Sequence, residues 1–214
     1  RIDSNFYHPL YNYENIKCKH IIKLSELAKL KKNSKIMAKE EYIYYEIGDL
    51  STSKVLEDKE RIMGSKLPGR AKLELRMNDI IISLVQESIE VTSYVDMKLK
   101  NALSTNGCAV LEPKDKSLSA YLYAIMSSEF FIAQKCKYIS GTNIRSMSKD
   151  DLLDMSIPIV EQKIIDKIVE LVNIEFSNIR KAKQLIQEAK QDVEDLIEGK
   201  FDMSKLNETT TESR

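Results

Sequence analysis

Residues 155–165 read Met-Ser-Ile-Pro-Ile-Val-Glu-Gln-Lys-Ile-Ile, and a seven-residue apolar beat follows them. Ile157, Ile159 and Val160 predict a short buried strand. Pro158 confines that strand to an edge or an end, because proline has no N–H to give to a ladder. Glu161 and Asp166 then suit the positive end of a helix dipole. From Ile165 onward, every seventh residue is β-branched: Ile165, Val172, Ile179, Ile186 and Val193. That choice favours parallel two-stranded coiled coils. The companion positions are Ile168, Glu175, Ala182, Ala189 and Leu196, where the alanines allow close approach. The pattern predicts a compact head that ends in a strand and hands over to a coiled-coil helix of roughly 37 residues within 161–200, about 55 Å long at about 1.5 Å per residue. Such a helix cannot bury its stripe alone and needs a partner helix. Ile164, Val169, Leu171 and Phe176 extend the apolar surface of its first half, so that half is expected to pack on two sides. Glu175 marks the point where the seam turns.

Upstream of the junction, residues 1–160 alternate between strand and helix signals, which predicts a mixed α+β head. Strands are expected at 21–24, 41–48, 73–75, 80–85, 91–95 and 107–112. The continuous apolar run from Ile80 marks a strand buried on both faces. Asn78 sits in a turn before it and tolerates a left-handed conformation. Ser25 is expected to cap a helical turn. Helices are expected from Ser117 and over Glu129–Tyr138, the second closed by Ser140-Gly141. The Ser/Thr/Glu-rich tail, 201–214, is expected to be disordered.

Several classes are excluded by composition. No apolar run reaches the ~20 residues of a membrane span. The opening Arg-Ile-Asp-Ser carries no export signal, and Cys18, Cys108 and Cys136 are odd in number and widely spaced. They read as reduced thiols of a cytoplasmic protein. The six glycines are scattered, so no glycine-rich cofactor or phosphate loop is present. His8 and His20 lack metal-ligand spacing. No cofactor or metal is therefore expected. One metal-nuclease pattern, Asp96 with Glu112-Pro113-Lys114, is matched equally well by Asp49 with Glu57-Asp58-Lys59. The required chemistry is carboxylates holding Mg²⁺, and Pro113 fits the central strand of such a site badly.

Net charge is +0, yet residues 1–150 carry an excess of 5 basic residues and residues 151–214 an equal acidic excess. A basic head on an acidic helix fits a head that meets phosphate. Three basic stretches supply candidates. Residues 17–39 carry Lys31 and Lys32 among eight lysines against Glu26 alone. Residues 61–76 carry Lys66, Arg70, Lys72 and Arg76. The third is the 141–145 loop, with Thr142, Asn143 and Arg145, followed by Lys149. Lysines serve as phosphate point charges, whereas arginines and amides read base edges in pairs. Ser83 and Gln86, at the end of the buried strand, are further polar candidates.

The ordered set of motifs resembles the specificity (S) subunit of type I restriction-modification systems. "IPIVEQKIIDKIVELV" is similar to the end of a target recognition domain and the spacer helix that follows it. "RIDSNFYHPLY", "LPGRAKLELRMNDIIISLV", "STNGCAVLEP", "YLYAIMSSEFF" and "SGTNIRSMSKDDL" fall in the family's order. Asn78 stands where the family usually has glycine. The resemblance implies a DNA-reading module without catalysis of its own. It implies double-stranded DNA, methyltransferase (M) subunits and a restriction/translocase (R) subunit as partners. It also implies antiparallel spacer helices, whereas the β-branched seam leans parallel. Self-association would then run through Ile165, Ile168, Val172, Ile179, Ala182, Ile186, Ala189, Val193 and Leu196. The competing readings are a coiled-coil scaffold whose head binds protein and the metal-dependent nuclease.

Overall fold

The computed structural model describes Cys18, residues 20–141 and residues 143–204. The opening segment 1–11 with His8, together with Lys17, Lys19, Thr142 and residues 205–214, lies outside the described residues. By its contacts the chain divides after Phe176.

The first unit is built on two four-stranded sheets. One has the order β4 (Ile62–Met63), β3 (Glu41–Tyr45), β8 (Ala102–Thr105), β5 (Ala71–Leu75), with β3 and β8 parallel. The other has the order β2 (Ala28–Leu30), β9 (Cys108–Pro113), β6 (Ile80–Ser83), β7 (Thr92–Tyr94) and is antiparallel throughout. Their pleats explain the placement. In β5, Ala71, Leu73 and Leu75 are buried while Lys72 and Glu74 are half-buried, the period of two of a strand with one covered face. In β6 every residue is buried, as the apolar run predicts for a central strand. Ile43, Tyr45, Leu73, Leu75, Ile81, Val95 and Val110 meet in one core drawn from both sheets.

β5 and β6 are consecutive but do not form a hairpin. β5 pairs β8, and β6 pairs β9 and β7. The turn between them carries the chain from one sheet to the other. Asn78 takes φ 74° there, the left-handed conformation its sequence position suggests. Only the Asn106-Gly107 pair separates β8 from β9, so it forms a second crossing between the sheets.

A third, two-stranded sheet closes the unit. β1 (His20–Lys23) runs antiparallel to β10 (Ser156–Ile159), with Ile21 opposite Pro158. Pro158 therefore sits where its missing N–H costs least, and its carbonyl accepts from the Tyr121 hydroxyl at 2.7 Å. Helix α1 covers Leu24–Leu27, so Lys23, not Ser25, holds its N-cap position. Ser25 lies inside the turn, because Leu24 must reach the core, where it is fully buried. Helices α2 (Ser119–Met126) and α3 (Glu129–Tyr138) follow, and Ser128 caps α3 by accepting from the Phe131 N–H. Helix α4 is Lys149–Leu153.

Helix α5 runs over Gln162–Ile197. Its first turns belong to the first unit, where Ile165, Val172 and Phe176 are buried. Phe176 meets Tyr94 and Tyr123 edge-on, with ring centroids 5.6 and 5.5 Å away, while the two tyrosines stack on each other. This corrects the sequence assignment of Ile165 and Val172 to a partner helix: the head of the same chain covers them. Beyond Phe176 the same repeat is open to solvent, with Ile186, Val193 and Leu196 each more than half exposed. Gly199, at φ +70°, ends the helix. Its N–H donates to the Leu196 carbonyl and the Lys200 N–H to the Asp195 carbonyl, which satisfies the last open carbonyls. Among the described residues, no helix is long and apolar enough to cross a membrane.

Candidate nucleic-acid interface

Strand β5 has a basic residue just beyond each end, Arg70 and Arg76, about 20 Å apart along extended chain. The two ends differ in what surrounds them.

At the Arg70 end, four connections meet. The Arg70 carbonyl accepts from the Asn106 N–H at 2.9 Å, which ties the start of β5 to the β8–β9 crossing. The neighbouring Gly107 carbonyl accepts from the Leu84 N–H at 3.3 Å, which ties that crossing to the end of β6. Two residues on, the Gln86 N–H donates to the Arg145 carbonyl at 2.9 Å, and Val85 bridges Ser146. The Ser140–Ser146 loop is closed on itself by reciprocal backbone bonds of 3.0 and 2.9 Å. Gly141 makes the loop possible. It takes φ +114°, and a Cβ there would stand 2.7 Å from the Ile144 carbonyl oxygen. Glu46, on the turn after β3, completes the edge through an ion pair with Arg70, Nη2 to Oε1, at 2.6 Å. A chain of backbone bonds thus brings Arg70, Asn106, Gln86 and Arg145 to one edge, with Asn143 exposed on the loop beside them. Guanidinium and amide groups held on short, tied loops are the chemistry that reads base edges.

At the other end of β5 the basic groups are also paired, and one pair is buried. Lys31 is not a phosphate contact: its ammonium is bound to the fully buried Asp79 and its side chain is only 11% exposed. Burial raises the Asp79 carboxyl above the usual carboxylate range, against the pull of Lys31 and of the Arg76 N–H, which donates to it at 2.6 Å. Arg76 itself grips both carboxylate oxygens of Glu74, Nε at 3.3 Å and Nη2 at 3.0 Å. Lys72 is half-buried on β5 and gives its carbonyl to the Ser34 N–H. Lys32 is exposed. Lys66 is also exposed, on the turn Gly64–Lys66. Ser83 is fully buried, its hydroxyl 2.6 Å from that of Ser88, so it braces the strand end and cannot meet a ligand.

Sequence reading missed Asn106 and Glu46. The Asn106-Gly107 dipeptide is a turn signal that could have been used. Nothing local to Glu46 announces Arg70, since 24 residues separate them.

The carboxylates of the nuclease patterns have other occupations. Glu112 pairs with Lys116 at 3.5 Å and Lys114 donates to the Ser25 carbonyl at 2.9 Å, while Asp49 pairs with Lys59 at 2.6 Å. Among the described residues, no three His, Cys, Asp or Glu side chains gather to hold a metal ion.

A mixed two-sheet head closed by a strand pair and continued by a long helix defines a class of domain, and comparison identifies it. The type I restriction modification DNA specificity domain family matches residues 11–191, and the chain belongs to that family. Among solved structures, the HsdS subunit from Thermoanaerobacter tengcongensis is similar over 83% of this chain and 46% of its own, with TM-score 0.62 and 19% identity. A structure described as the basis of complex assembly and conformational transition of the type I R-M system is similar over 86% of this chain and 49% of its own, with TM-score 0.62 and 18% identity. The chain spans about half the length of these two proteins. At such identities the likeness is one of fold, an α+β head with a long helix. No curated protein matches the chain by sequence.

Proposed function

We propose that this chain is the DNA-sequence-recognition part of a type I restriction-modification system. The head reads duplex DNA with the edge formed by Arg70, Gln86, Asn106, Asn143 and Arg145. Adenine methylation and ATP-driven cleavage are left to M and R subunits, and the setting is cytoplasmic. The backbone bonds that tie those residues together from four separate connections carry the reading: each residue is weak alone, and together they place amide and guanidinium donors within one region of the surface. Family membership supports it independently. The second half of α5 pairs with another long helix through Ile179, Ala182, Ile186, Ala189, Val193 and Leu196, with Ile168 at the near end. Three of these are more than half exposed in the single chain, and each large residue gains about 1.5–3 kcal/mol when covered. The pairing is antiparallel, as the resemblance to S subunits implies.

Duplex binding across a salt series tests the proposal. Affinity should fall linearly on a log–log plot as salt rises, because phosphate contacts release counterions, and one sequence should outcompete a scrambled duplex. Salt-independent binding, or equal competition by every duplex, removes the reading.

A further inference from the structure

Glu46 is out of place on a surface that meets nucleic acid. A carboxylate there repels phosphate, yet this one is held at the edge. Its backbone is fixed at the end of β3 by a reciprocal cap: the Glu46 N–H donates to Asp49 Oδ2 at 2.8 Å, and its carbonyl accepts from the Asp49 N–H at 3.1 Å. Ile47, next in sequence, lies against the Gly107 crossing, where a Cβ would come within 3.3 Å of its Cδ1. The side chain is fixed in turn by Arg70, itself anchored through its carbonyl to Asn106. The ion pair is single, Nη2 to Oε1, and the two side chains remain 57% and 49% exposed. Arg76 and Glu74, by contrast, use both carboxylate oxygens on each other.

We infer that Glu46 is a specificity-determining residue, a fixed acceptor for the exocyclic amine of a base, which works with Arg70 as one donor–acceptor platform. In the major groove a carboxylate can accept from the N4 amine of cytosine, and a guanidinium can give a bidentate pair to guanine O6 and N7. Those two groups are adjacent on one C·G pair, and a contacting Glu–Arg pair matches them. An adenine N6 amine offers the same donor. The mutual ion pair keeps both side chains in place before DNA arrives, which lowers the ordering cost of binding. The inference rests on the proposed DNA-reading edge and adds a carboxylate to the guanidinium and amide groups named there.

The test is selection of duplexes from a randomised pool by the 214-residue chain and by its Glu46→Gln, Arg70→Ala and Arg145→Ala variants, each first shown to melt as the unmodified chain does. The unmodified chain should require cytosine or adenine at one position. Glu46→Gln should lose that requirement by about ten- to a hundredfold. Arg70→Ala should relax the same position or its base-pair partner, and Arg145→Ala a different one. Two outcomes overturn the inference while the DNA-reading edge stands: an unchanged pattern in Glu46→Gln, or a uniform gain for all sequences, as from a carboxylate that only repels phosphate. If the unmodified chain selects nothing, the proposed function itself falls, and this inference with it.

Discussion

The two ends of strand β5 carry the same kind of residue in different surroundings. Beyond one end, Arg70 sits where three other connections arrive, tied by single backbone bonds, with its guanidinium half open. Beyond the other, Arg76, itself 65% exposed, gives two donors to the one carboxylate of Glu74, and Lys31 is sunk onto Asp79. A basic side chain contributes to a surface only through the donors its own neighbours leave unused. Counting lysines and arginines along a sequence measures supply; the fold decides how much is spent internally.

The largest effect should come from opening the closed end. Asp79→Ala leaves the Lys31 ammonium buried without its partner, a loss of about 3–5 kcal/mol in stability. Denaturant unfolding measures it, and a loss below 1 kcal/mol would mean the pair is solvated and the contrast between the ends false.

A third cation sharpens the same contrast. Lys135, on α3, is fully buried, and among the described residues its ammonium has no hydrogen-bond partner. Burial is the main cause that pushes it down from 10.5 to about 8. Between those two values the unfolded chain keeps a proton that the folded chain has lost, so stability rises with pH across that window. Lys135→Met should remove the rise and be more stable below pH 8, by about 3 kcal/mol. Parallel unfolding series at pH 7 and pH 10 decide it: equal slopes for variant and unmodified chain refute the burial cost.

The smallest effect separates the ends by function. Arg145→Ala should cost about 1–3 kcal/mol of discrimination at one base position. Arg76→Ala should change discrimination nowhere and stability by about 0–1 kcal/mol, the worth of an exposed pair. Sequence preferences of the two variants are the measurement; a shifted preference in Arg76→Ala would move the reading edge to the other end.

Local features were readable from the sequence, and distant ones were not. Glu129–Tyr138 was legible because Ser140-Gly141 closes it with its own chemistry; the Ser128 cap at its start was not read. The Ile-Pro strand and the helix after it were legible from one proline and one repeat. Strand β8 was not: Ala-Leu-Ser-Thr is short, fully buried and without alternation. Nor could the turn at Asn78 reveal that its flanking strands join different sheets, since that is set by partners far along the chain. The site divides in the same way. Arg70, Gln86 and Arg145 were named for their donors, which belong to the residue. Lys31 and Ser83 were misread because burial and partners belong to the fold. Ile165 and Val172 carried a true repeat, but the head of the same chain covers them.

The pairing of β1 with β10 has a consequence for how such a chain can change. His20 lies opposite Ile159, so the first and last of the described strands run side by side, and the Cys18 thiol reaches the Ile159 carbonyl at 3.3 Å. A block with adjoining ends can be exchanged for another of the same closure at the cost of two side-by-side splices, provided the newcomer also offers α5 a seat for Val172 and Phe176. On the proposed function, a different reading edge would arrive with such a block, like interchangeable type on a fixed bar, without remaking the helix that follows.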